Sequence, residues 1–225
     1  HVGCHRQVRG YRGARARSSP PWRDRASRRA ELAPRHAVPA GQGASRGRAG
    51  SAIYCGVVFA PSARTEPSFV AAGWDPSRRV PVPAFVSGDH PGWQVLSRFG
   101  GLTVGSCGAG VECATSDVAF SACAPDAQDD ELAAWQRLLS TTLVVVATVH
   151  HDHGELLVDS SSRYFGRSLV HDAFYFHGDA FAAALDGLLL GLRPRPMLRP
   201  GQRVVSMFGI DITADSPELY RPTDG

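Results

Sequence analysis

Thr142-Leu-Val-Val-Val-Ala-Thr-Val149-His150-His-Asp-His-Gly154-Glu155-Leu-Leu-Val-Asp159-Ser160-Ser-Ser-Arg163-Tyr164-Phe165 is the stretch that decides the fold. Thr142–Val149 is dominated by β-branched residues and is apolar on both faces, the composition of a central strand. His151-Asp152-His153-Gly154 reads as a hairpin turn, with Gly154 supplying a positive φ. Glu155–Asp159 alternates and returns as the next strand. Ser160–Ser162 is a second tight turn, and Arg163-Tyr164-Phe165 a third strand. Strand, turn, strand, turn, strand is an antiparallel meander.

Working outward, helices flank this meander. A short helix is expected over Pro67–Ala72, with Gly73 at its end and Trp74 packing back as the first large core residue. Asp89-His90-Pro91 opens a second helix: Asp89 or His90 can cap it, and Pro91 suits the first turn. Val95, Leu96 and Phe99 fall on one face, and Gly100-Gly101 stops it before a strand at Leu102-Thr103-Val104. Val118–Ser121 reads as a short strand. Asp129–Leu139 reads as a third helix, with acids in its first turn and Leu132, Trp135 and Leu139 on its apolar face. A last helix is expected after a Gly178-Asp179 cap, with Phe181, Leu185, Leu188 and Leu189 as its stripe and Gly191 at its end. Arg193-Pro194-Arg195-Pro196 marks the domain edge. The expected class is α+β, one domain over residues 66–196, an antiparallel sheet packed with helices. Residues 197–225 form a C-terminal extension with an apolar patch at Val204–Ile212.

Charge is unevenly distributed. Residues 1–50 carry twelve Arg against Asp24 and Glu31, a net +10, whereas the whole chain is +3, which leaves the remainder at −7. All 24 cations are Arg, which reads as nucleotide bias and not as selection for guanidinium chemistry. The first 50 residues are rich in Arg, Gly, Ala, Ser and Pro, cannot bury enough apolar surface to offset their ordering entropy, and are expected to be a disordered basic leader. Their one functional reading, a basic arm on nucleic acid, has only Tyr11 and Trp22 for base stacking. The chain opens on His1, which points to a truncated or mis-assigned start. No window approaches the roughly 18 apolar residues of a membrane-spanning helix.

Among candidate sites, His150-His151-Asp152-His153-Gly154-Glu155 is the strongest chemical signal. His, Asp and Glu are all metal ligands, and in a strand His151, His153 and Glu155 would share a face. The function this suggests is a small metal-dependent enzyme; its place at a sheet edge favours a solvated turn instead. Cys4, Cys55, Cys107, Cys113 and Cys123 are odd in number and lack Cys-x-x-Cys spacing, so reduced cytosolic thiols are expected rather than disulfides. No Gly-x-Ser-x-Gly elbow exists, and Gly105–Gly110 lacks the Lys-Ser/Thr of a phosphate loop. No catalytic, cofactor or metal residue is therefore assigned. Trp74, Trp93, Trp135, Phe174 and Phe176 read first as core. Phe174, Tyr175 and Phe176 are the candidate partner-binding residues, since the Phe174-Tyr175-Phe176-His177 segment could show alternate aromatics to a partner.

Several landmarks recur in a fixed order: Ala72-Gly73-Trp74 with Arg78-Arg79; Pro91; Phe99-Gly100-Gly101-Leu102-Thr103-Val104; the Leu143–Asp159 hairpin; Arg163-Tyr164; and Ala182–Gly191. This pattern resembles the SUKH superfamily of bacterial immunity proteins, its third subfamily in particular. The sequence departs from the family at Val145-Val146-Ala147-Thr148, where the family has Pro-hydrophobic-Gly-Glu, and at Ser162, where it has Gly. The resemblance implies a non-enzymatic cytoplasmic protein that binds and neutralises a cognate toxin of a polymorphic toxin system, many such toxins being nucleases or nucleic-acid deaminases. It implies no cofactor and no direct contact with nucleic acid or membrane. The acidic body is an independent point of agreement, because a basic toxin cleft would meet it with complementary potential.

Overall fold

The computed structural model describes residues 59–222 apart from Pro125 and Ala127. The Arg-rich leader, and with it the basic-arm reading, lies outside the described residues. Its centre is a seven-stranded antiparallel sheet in simple sequence order. The strands are β1 (Thr103–Val104), β2 (Val118–Phe120), β3 (Leu143–Val149), β4 (Gly154–Asp159), β5 (Tyr164–Ser168), β6 (Phe174–Gly178) and β7 (Arg195–Met197). Among the described residues four helices accompany it: α1 (Glu66–Ala71), α2 (Pro91–Phe99), α3 (Asp130–Leu139) and α4 (Phe181–Leu190). Strands β8 (Val204–Met207) and β9 (Ile210–Thr213) form a separate hairpin. The α+β class and the antiparallel meander are thus as expected.

Strand alternation divides the core in two. Val146, Val149, Leu156, Val158 and Tyr164 face α1, α2 and α4. There Phe69, Phe99, Phe120 and Phe181 form an aromatic cluster, in which Phe99 and Phe181 stack with centroids 4.6 Å apart. The opposite face carries Leu143, Val145, Leu157, Phe165, Phe174 and Met197 against Trp135 and Leu139 of α3. Helix starts follow their sequence signals. His90 caps α2 by accepting a hydrogen bond from Gly92 N at Nδ1, 3.0 Å. Asp129 caps α3 by accepting one from Leu132 N, 3.0 Å. Asp186 of α4 accepts from Ser62 and Thr65 at 2.6 and 2.9 Å, which ties the entry of α1 to the last helix.

The structure departs from the sequence reading in four places. Gly154 does not supply the positive φ of the β3–β4 turn; it begins β4, opposite Val149. His150, His151 and Asp152 adopt the left-handed conformation instead, at φ 52°, 54° and 65°, a region that His and Asp enter more readily than most residues. The last helix is not capped by Gly178-Asp179. Its N-cap is Ala180, without a side-chain cap, because Gly178 is still paired in the sheet. The aromatic segment is itself strand β6, and the third strand runs on to Ser168 to pair with it. A strand not read from the sequence also forms within the Pro-Arg stretch, where Arg195–Met197 pairs with β6 as β7.

Candidate functional site

A cavity of about 510 Å³ lies beside β5 and β6. It lies near the end of α4 (Gly187, Leu188) and next to the tip of the β8–β9 hairpin (Met207, Phe208), with Tyr175 and His177 of β6 in its wall. Gly166 makes room for the imidazole, since a Cβ there would lie 2.5 Å from His177 Nε2. Desolvation pushes His177 down to about 4, with the like charge of His150 adding to the effect, so the ring is neutral at physiological pH. Burial raises the Tyr175 hydroxyl against the opposing effect of its hydrogen bond with Ser168. The cavity thus presents two neutral, amphipathic rings.

Its rim is built from the β3–β4 turn, the β5–β6 loop and the β8–β9 tip. Leu169 N donates to His153 O, 2.8 Å, which joins the first two. Ser168 Oγ accepts from His171 N, 3.0 Å, and so shapes the loop. The rim is apolar and open: Leu169, Val170 and Phe208 are 46%, 51% and 44% exposed. The Arg193 guanidinium lies 5.2 Å from the Phe208 ring centroid, a cation–π contact that holds an otherwise exposed ring in place.

Beneath the other face, Arg167 is buried between two carboxylates. Its guanidinium is 2.6 Å from Glu155 Oε2 and 2.6 Å from Asp129 Oδ2. Burial works against its charge, but the two carboxylates hold its pKa above the ordinary value. One carboxylate of this pair also caps α3, so the network joins β4, β5 and that helix.

The His150–Glu155 run is not brought together as one site. Glu155 is buried and taken by Arg167. His153 lies in the turn against the cavity. His151 instead meets Asp117, with Nδ1 3.2 Å from Oδ2, and Cys107 Sγ donates to the same carboxylate at 3.2 Å. Desolvation opposes ionisation of Asp117, yet the hydrogen bonds from Cys107 and from His151 N keep its pKa below the usual value. No spacing rule could have joined residues 107, 117 and 151, because a long loop separates the first two and two strands the last.

The candidate aromatics divide. Phe174 is taken up by the core, stacked on Trp135 with centroids 4.3 Å apart. Phe176 stacks on Tyr220 at 3.9 Å. Tyr175, on the alternate face, lines the cavity.

The described residues thus form an antiparallel sheet covered on both faces, with a concave site at its edge. Residues 92–191 match the family model of the SUKH-3 immunity proteins, a finding consistent with a SUKH superfamily immunity protein. The match runs from the start of α2 to Gly191 and therefore takes in β1 to β6, α3 and α4. No curated protein and no solved structure matches the chain. Among the described residues no helix is long and apolar enough to cross a membrane.

Proposed function

We propose that this protein neutralises a cognate toxin of a bacterial polymorphic toxin system by stoichiometric binding in the cytoplasm, and not by catalysis. The observation that carries the reading is the match of residues 92–191 to the SUKH-3 immunity protein family. The cavity and its rim supply the contact surface: Val170 and Phe208 are the apolar anchors, and Tyr175, from the aromatic segment first singled out, faces the partner from the wall. Phe174 and Phe176 act from behind by fixing β6. The toxin is a nuclease or deaminase with a basic cleft. Residues 51–225, at net −7, accelerate encounter with such a surface through complementary potential.

The test is affinity capture from the source strain with the tagged full chain, read by mass spectrometry. Capture of a toxin C-terminal domain at equal stoichiometry is the expected result. Stable complexes only with metabolic enzymes or nucleic acid would refute the reading.

A further inference from the structure

We propose that the β1–β2 loop and the β3–β4 turn together form a zinc-class metal site, with Cys107 Sγ, the Asp117 carboxylate and His151 Nδ1 as ligands. The donor atoms of these residues all lie within 4.8 Å of one another. Cys107 Sγ to Asp117 Oδ1 is 3.2 Å, and Asp117 Oδ2 to His151 Nδ1 is 3.2 Å. Tetrahedral ligands at ordinary zinc bond lengths of roughly 2.0–2.3 Å stand about 3.3–3.8 Å apart. Cys107 and His151 each already stand close to that spacing from one oxygen of Asp117, and the three donors converge to within 4.8 Å. His150 Nδ1, 3.9 Å from Cys107 Sγ, is the nearest further donor. A thiolate, an imidazole and a carboxylate select zinc over the hard cations magnesium and calcium.

The backbone around the cluster is fixed independently of a metal. His151 N donates to Asp117 Oδ1 at 3.0 Å, and His150 N to Ser116 Oγ at 2.9 Å. A Gly108–Thr115 bridge and a Thr115 Oγ1 bond to Ser106 O, 2.7 Å, close the loop that carries Cys107. The same loop sits on the end of α4, where Val111 N donates to Leu190 O and Cys113 N to Gly191 O, and so satisfies helix carbonyls that lack intrahelical partners. The site is reachable, since the His151 side chain is 68% exposed. Consecutive left-handed residues at His150, His151 and Asp152 carry a backbone cost, which an ion tethering His151 offsets. On binding, the Cys107 thiol loses its proton to solvent and the sulfur lone pair is donated to the metal. The ion then clamps the rim of the cavity to the loop over α4.

The experiment titrates the chelator-treated full chain with zinc chloride against a chromophoric competitor. A parallel titration uses cobalt(II), read by its thiolate charge-transfer absorption. Stoichiometric zinc binding and a thiolate–cobalt band are expected for the natural chain and for Cys123→Ser. Binding in Cys107→Ser and in His151→Ala should weaken by about 100-fold or more, with far-ultraviolet circular dichroism unchanged. A natural chain that gives no thiolate–cobalt band, or a Cys107→Ser chain that keeps full affinity, overturns the proposal.

Discussion

Gly166 of β5 lies against the ring of His177 on β6, where a Cβ at position 166 would come within 2.5 Å of Nε2 and 3.0 Å of the neighbouring Tyr175 ring. The missing side chain in one strand thus sets the position of two rings in the next. Gly166→Ala should cost about 1–3 kcal/mol by overpacking, read as a lowered urea midpoint. In Gly166→Ala/His177→Ala the loss should be smaller than the sum of the single losses, because the clash is gone. Additive losses would show that the contact does not govern the site.

The buried ion network makes an asymmetric prediction. Glu155→Leu leaves Arg167 in a buried position with Asp129 alone, which should cost about 3–5 kcal/mol. Asp129→Asn keeps an oxygen for the Leu132 N–H and weakens only the charge, so its loss should be the smaller. Denaturant unfolding at neutral pH measures both, and equal losses would contradict the geometry.

Stability should fall on mild acidification. His177 sits near 4 in the folded chain, below its ordinary value of about 6.5, so the unfolded chain binds the proton more tightly. Stability is therefore full above about pH 6.5 and declines as pH drops toward 4, by at most about 3 kcal/mol. His90 is also lowered, by burial, and shares the same sign. The slope of unfolding free energy against pH should flatten in His177→Gln; an unchanged slope would remove His177 from the account.

Ser162 occupies a left-handed conformation at φ 66° in the β4–β5 turn. This is the position where the related family has Gly, and the backbone explains why. Ser162→Gly should stabilise the protein by up to about 1 kcal/mol, seen as a raised thermal midpoint. A lowered midpoint would mean that the buried Ser162 side chain contributes more than the strain costs.

The meander was legible because β-branched runs, short polar turns and capped helices each point to one local structure. Val145-Val146-Ala147-Thr148 was legible as part of the central strand and as a departure from the family, but not as an irregularity in pairing. In the structure the register shifts there, between Val145 and Ala147, and irregular pairing of that kind is where strands tolerate Pro and Gly. Strand β6 was hidden because Phe174-Tyr175-Phe176-His177 alternates among aromatics alone, so no polar face marks the period. The cavity was not legible at all. Tyr175, His177, Val170 and Phe208 meet only through strand pairing and the hairpin after β7, and the cluster of Cys107, Asp117 and His151 likewise exists only after folding.

The most direct test of the central claim is growth of cells that express the captured toxin domain together with the full chain, either natural or Val170→Asp/Phe208→Asp. The natural chain should restore growth. The double variant should stay folded by circular dichroism, bind the toxin about 100-fold more weakly or worse, and fail to protect. If the double variant protects as well as the natural chain, the cavity rim is not the surface that confers immunity.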